Sequence, residues 1–588
     1  MACRENNSFL DTSGSNKHGS TNEVMSSNSI EKESSSAVIN ANSSLKTSSK
    51  TPTEIEYGTE EMRITTAGDY FITDTFNGTI KVKAENVSLF LDNANISVSN
   101  TKVISSDYDL VISLIGTSTL SNVSEIVTKT TNVISGLGNI TIQGSGTLNI
   151  NATKSGINCA GAFYGLGGTL NIAAGTHYGI SADRIILKTI TIIVTSGGKD
   201  AIHAESDNSV QNYDATRGYV IIEQGASISV SGIYGDGIQA DTFVLISGGT
   251  LNIETLPTWV KATSNKGCYQ LINGVYTKVA QDEARNISNY WQLDVSSKGI
   301  KVGEIDYETI DANGNTVSHV VSSDEYLITI DDGSITINTT DDAIHANSGD
   351  IIINGGTFNL ATSDDAIIAD NHLKIHGGNI NISKSYEGLE GQTVEITGGI
   401  NKIVSTDDGI NAANSNLTKA QQKSLCNVTI SGGQTYVSAG GDGVDSNGSI
   451  SISGGELYVD GTTYYMDSAL DSDGGIVITG GTIIATGSSG MVETPTSSST
   501  QYIIMITLSS VTSGPVSVFY NDTVLASFDA AEIFGVGQSY QSIIISLPSF
   551  INGNTYTVIS GSVTTAVQIT SIITKVGSSG WPGWPGGW

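Results

Sequence analysis

The sequence predicts an all-β protein, a single-stranded parallel β-helix (solenoid) closed by a C-terminal β-rich cap. Three observations carry this expectation. A seven-residue unit with a small third residue and an aliphatic fourth recurs along most of the chain, and its copies starting at 341, 364, 386 and 407 are 23, 22 and 21 residues apart. A second unit, headed by a glycine pair, lies between those copies, as in NGGTFNLA (354–361), HGGNINIS (376–383) and SGGELYVD (453–460). The chain holds 67 Gly and only 7 Pro in a background rich in Ser, Thr, Asn and Asp, a mixture that favours short strands joined by tight turns.

Residues 1–57 are polar, with few large apolar groups, and read as a disordered linker that cannot bury enough surface to offset its ordering entropy. From 58 to 500 the strand pattern runs on, for example NITIQGSGTLNINA (139–152) and GYVIIEQGASISVS (218–231). A period of about 22 residues is too short for a four-stranded propeller blade, which takes about 40, and fits one coil of a parallel β-helix with coils stacked about 4.8 Å apart. The aliphatic position (Ile344, Ile367, Leu389, Ile410, Val444, Leu470) is then an internal stack, and its small neighbour (Ala343, Ala366, Gly388, Gly409) sits where the backbone turns. The pattern breaks near 255–296, read as a loop or small flap, and near 411–427, where a helical turn fits. Longer strands over 501–575 read as the cap, and 576–588 as an exposed Gly/Trp/Pro tail.

Acidic residues number 58 against 27 basic ones, a net charge of −31, so the basic footprint of a nucleic-acid binder is lacking. Cys3, Cys159, Cys268 and Cys426 follow no zinc-ligand spacing. No run of 18 apolar residues predicts a membrane span. The opening MACRENNSFL lacks an apolar leader, and Cys3 before a polar stretch reads either as a trimmed lipoprotein start or as an arbitrary one.

Stacking the seven-residue units sorts the acids into columns. The second position carries Asp342, Asp365, Glu387, Asp408 and Asp442, and the first carries Asp341, Asp364, Asp407 and Asp467. Glu390, Asp445 and Asp471 share the fifth, and Asp370 and Asp473 the seventh. Two carboxylates about 5 Å apart repel by roughly 3 kcal/mol at an effective dielectric near 20, so a row needs protonation, solvation or a bridging cation. Oxygen-only clusters of irregular geometry suit Ca²⁺ better than Mg²⁺, which makes these fourteen acids candidate calcium ligands. Asp is also a turn former that bonds nearby amides, which accounts for single Asp-Gly pairs such as 236–237. It accounts less well for the doublets at 341, 364 and 407, and for glutamates in register at 387 and 390.

The stretch DDAIHAN…DDAIIAD…SKSYEGLEGQTVEITGG…STDDGINAA…GGDGVDSNGSISISGG…SALDSDGG resembles the bacterial carbohydrate-binding domain-containing protein family, whose fold is related to that of pectate-lyase-type polysaccharide lyases. The resemblance spans about residues 58–570, and KSYEGLEG with the following DDGINAA is its most specific part. It implies a right-handed coil, several bound calcium ions, affinity for plant cell-wall glycans including acidic pectic ones, and a secreted or cell-surface location. Asp341, Asp342, Asp364, Asp365, Glu387, Glu390, Asp407 and Asp408 fall on the family's acidic positions, whereas KSGINCA (154–160) and HYGISAD (177–183) lack them.

A calcium ion held partly by protein can offer open coordination sites to a uronate, and Lys298, Lys301, Lys384 and Tyr386 are the expected sugar-facing residues. Tyr436 and Tyr458 fit either sugar stacking or surface packing. The expected function is non-catalytic, calcium-dependent binding of acidic cell-wall polysaccharide, with cellulose as a further ligand, by a monomer. A pectate-lyase-like β-elimination with Lys384 as base is the alternative, and an adhesin or structural solenoid the second.

Overall fold

The computed structural model describes residues 61–577, apart from 124–128, 206–215, 256–257, 261–267, 273–274, 280–290, 295–296, 304–305, 311–315 and 321–325. The expected linker over 1–57 and most of the tail, with Trp581, Trp584 and Trp588, lie outside the described residues.

Each coil lays down three short strands that join three parallel sheets. The first sheet stacks three-residue strands in which Ile157, Ile180, Ile202 and Ile238 are aligned partners. The same column continues through Ile300, Ile344, Ile367, Leu389, Ile410 and Val444. All of these side chains are buried, so the aliphatic fourth position forms the internal stack the repeat predicts. In the second sheet Asp350–Ile353 pairs with Leu327–Asn338 on one side and Ile367–Ile375 on the other. In the third, Thr357–Ala361 lies between Leu327–Asn338 and Asn379–Lys384, with Phe358 and Leu360 inward and Thr357 and Asn359 outward. Alternation at period two thus puts one apolar edge of every strand on a common core.

The glycine pairs form the turn between second and third sheets. Their second members have φ of 96° at Gly356, 93° at Gly378 and 83° at Gly399, a left-handed conformation open to glycine. The small residue before the aliphatic stack has a different cause. At Gly388 a Cβ would run into Ile403 of the third sheet and the Gly409 carbonyl of the next coil, so close approach rather than a special φ sets its size.

The segment expected as a loop or flap contains an antiparallel sheet in which Thr258–Val260 pairs with Trp291–Asp294, and Cys268–Ile272 with both Trp291–Asp294 and Val275–Val279. A hairpin of Asp306–Ile310 and Thr316–Val320 leaves the next coil. The 411–427 insertion holds the helix Lys419–Leu425, started by a Thr418–Gln421 capping box. After the last coil, Ser539–Ser546 runs antiparallel to both Gly475–Gly487 and Ile503–Ser513, and the latter pairs in parallel with Ile573–Val576. A separate four-stranded antiparallel sheet is built from residues 516–568. No helix among the described residues is long and apolar enough to cross a membrane.

Candidate metal centre

The acid doublets occupy the turn that leads from the third sheet back into the first, so parallel register brings them together coil by coil. Oδ1 of Asp342 accepts the Asp365 N–H at 3.2 Å, and Oδ1 of Asp365 accepts the Glu387 N–H at 3.0 Å. Asp408 takes the Asp442 N–H at 2.7 Å, and Asp442 takes that of Ser468. The inner column is therefore a carboxylate-to-amide ladder, as the turn-forming role of Asp requires. Each of these four carboxylates uses one oxygen in the ladder; the second oxygen of Asp342 meets Lys298 and His345. Glu387, one methylene longer, instead accepts from Asn411 Nδ2 at 2.9 Å.

Three sets of acids bring one oxygen per residue within 4.8 Å of each other: Asp341/Asp342/Asp364, Asp365/Glu387/Glu390 and Asp442/Asp445/Asp471. The second and third sets flank Asn411, because the outward row of the first sheet pairs Glu390 with Asn411 and Asn411 with Asp445. Asn411 is 8% exposed, and its Oδ1 is buried with no hydrogen-bond partner. A buried acceptor without a donor is costly, so this oxygen adds to the case for a cation between the two sets. Asn411 occupies the fifth position that carries Glu390, Asp445 and Asp471, a signal visible in DDGINAA but hidden when the column is read for charge alone.

Electrostatics point the same way. Burial first, then repulsion from Asp408 and Asp471, pushes Asp442 and Asp445 each up to about 8. Asp408 rises to about 7, burial again leading. Burial followed by Asp365 raises Glu387, and burial followed by Asp342 raises Asp365. Glu493, outside the repeats, is pushed to about 7 by burial and by Asp471 and Asp473.

The first set differs. Lys298 Nζ lies 3.0 Å from Asp341 Oδ2 and 2.5 Å from Asp342 Oδ2, with only 12% of its side chain exposed. The expectation that Lys298 faces sugar is corrected: two carboxylates hold it inside and keep it protonated against the cost of burial. His345 Nδ1 also lies 2.8 Å from Asp342 Oδ2, so this set already has an internal cation, Lys298, with an imidazole beside it. Asp370, also expected as a ligand, falls outside the three sets, accepts the Ser348 N–H at 2.8 Å and lies 3.2 Å from His345 Nε2. Asp407, Asp408, Asp467 and Asp473 fall outside the three sets.

Of the other expected sugar contacts, Lys301 stands on the outward row between Gln239 and His345, half-buried. Lys384 ends its strand exposed, and Tyr386 is 40% exposed, its phenol pushed up by the neighbouring Asp407. Tyr436 and Tyr458 stack on each other at 5.1 Å and Tyr458 meets Phe528 at 5.4 Å, so their role is packing. Tyr464 and Tyr465, just before Asp467, are 53% and 67% exposed and were not singled out by the repeat pattern.

Fold and site together define a parallel β-solenoid with oxygen-donor clusters on one turn. The carbohydrate-binding domain-containing protein family matches residues 58–366 and 364–498, and the chain belongs to that family. No curated protein and no solved structure matches it.

Proposed function

We propose that this chain is a non-catalytic, calcium-dependent binder of acidic cell-wall polysaccharide, wound right-handed as strand–connection–parallel strand units are and acting outside the cell. The observation that carries the proposal is the orphaned Asn411 Oδ1 between two sets of three carboxylates. Asp365, Glu387 and Glu390 on one side and Asp442, Asp445 and Asp471 on the other would hold the ions. Bound calcium supplies open coordination positions that turn repulsion between an acidic protein and an acidic glycan into a bridge. Tyr464 and Tyr465 offer exposed ring faces beside Asp467 for a sugar ring to stack on.

Incubation with polygalacturonate tests this. Retention in calcium, release by chelator and no absorbance from unsaturated product are expected. Product formation would make the protein a lyase, and absence of retention would leave calcium a purely structural role.

A further inference from the structure

We infer that the chain carries a second, calcium-independent site for an acidic glycan, in a basic groove on its N-terminal coils. The inference rests on the acidic-glycan reading above and extends it to a region without acid doublets.

The groove encloses about 830 Å³ and is lined by Arg63, Lys81, Lys83, Lys102 and Arg217 against Asp107, Asp183 and Glu205. In a chain of net charge −31, a concave surface with more cations than anions runs against composition. Two of the three acids are already matched, Asp107 by Lys83 at 2.6 Å and Asp183 by Arg217 at 2.5 Å. Lys81 pairs with Glu61 at 2.6 Å, but both side chains are about 40% exposed, so this pair contributes little and a ligand can displace it. Arg63 and Lys102 are exposed and have no ion-pair partner among the described residues. A guanidinium and an ammonium at the groove edge suit a carboxylate ligand.

The floor suits the rest of a sugar. Ser105, Ser135, Asn158 and Ser181 are successive partners on the outward row of the first sheet, so hydroxyl and amide groups recur about every 4.8 Å. Leu137, 70% exposed, adds an apolar contact on the lip. The row begins at Arg63 and Lys81 and passes through Ser181, His203, Gln239, Lys301 and His345. It then reaches Ile368, Glu390, Asn411 and Asp445. One glycan laid across the coils would meet cations of the protein at one end and protein-held calcium at the other.

The test is calorimetric titration of the full chain with a galacturonate oligomer at low salt, in excess chelator and again in calcium. Three proteins are compared: wild type, Arg63→Gln/Lys102→Gln and Asp442→Asn/Asp445→Asn. Wild type is expected to bind in chelator, and the Arg63/Lys102 variant to bind about fivefold more weakly there, as loss of two exposed charge contacts implies. The Asp442/Asp445 variant should match wild type in chelator, and a carboxyl-reduced oligomer should not bind. No binding in chelator, an unchanged Arg63/Lys102 variant, or equal binding of the reduced oligomer overturns the groove site. If binding persists in chelator but calcium adds nothing, the calcium reading fails and the groove stands; the opposite pattern sinks the groove alone.

Discussion

The N-terminal and C-terminal coils use one backbone and different chemistry at the same turn. In the N-terminal coils, Asn132 Oδ1 accepts the Ser155 N–H at 3.4 Å. Farther along, Asp365 Oδ1 accepts the Glu387 N–H, and Asp408 Oδ1 that of Asp442. The amide needs only an oxygen, and a neutral side chain supplies it. At this turn the fold can thus use a neutral oxygen, although Asp200 and Asp236 already take the same role before residue 341. Burial, with repulsion from Asp408 and Asp471 added to it, lifts Asp442 and Asp445 well above the usual carboxylate range.

The largest effects should be common to both regions. Ile157→Ala and Ile410→Ala each remove a fully buried member of the shared stack, and about 2–5 kcal/mol is expected from either in urea unfolding, with or without calcium. Next comes chelation, which should separate them. Each ion lost contributes about 2.7 kcal/mol at a hundredfold excess over its Kd, and hydrogen exchange should show weakened protection over 364–446 but not over 134–204. Uniform loss of protection would mean that the two regions are not distinct.

Single substitutions in the ladder sharpen the contrast further. Asp442→Ala leaves the Ser468 N–H without its acceptor and should cost about 1–3 kcal/mol. Asp442→Asn keeps an acceptor and removes charge, so in chelator at pH 8 it should be at least as stable as wild type while losing calcium affinity in a titration. The same carboxylates also respond to pH. Asp408, Asp442 and Asp445 have folded pKa values raised to between about 7 and 8, above about 4 for the unfolded chain, so the folded state binds more protons between those limits. In chelator the melting temperature should fall as pH rises from 5 to 8, and in calcium this fall should largely vanish.

The coil was legible because its period is a sequence property: aliphatic residues 23, 22 and 21 apart become aligned partners. The acid columns were legible for the same reason, since register follows period. Depth was not. Lys298 lies 43 residues before Asp341, and nothing in the string shows that it enters the interior and bonds two carboxylates there. Asn411 was passed over because a search for charge ignores a neutral oxygen. The hairpin of residues 306–320 was hidden because its alternation matches that of the coils around it. The basic groove was invisible for a further reason. Arg63, Lys81 and Lys102 are scattered through an acidic sequence, and only the stacking order brings them to one face.

The reversal of direction at Ser539–Ser546 has a consequence for assembly. A parallel rung presents evenly spaced, slanted donors and acceptors, and a further identical rung can always be added. An antiparallel rung alternates narrow and wide spacings, so another solenoid arriving end-on finds no matching template in the third sheet. Beyond it the exposed edge shrinks to the four residues Ile573–Val576. At this end of the solenoid, therefore, the third sheet closes on an antiparallel strand and a short final one rather than on another parallel rung.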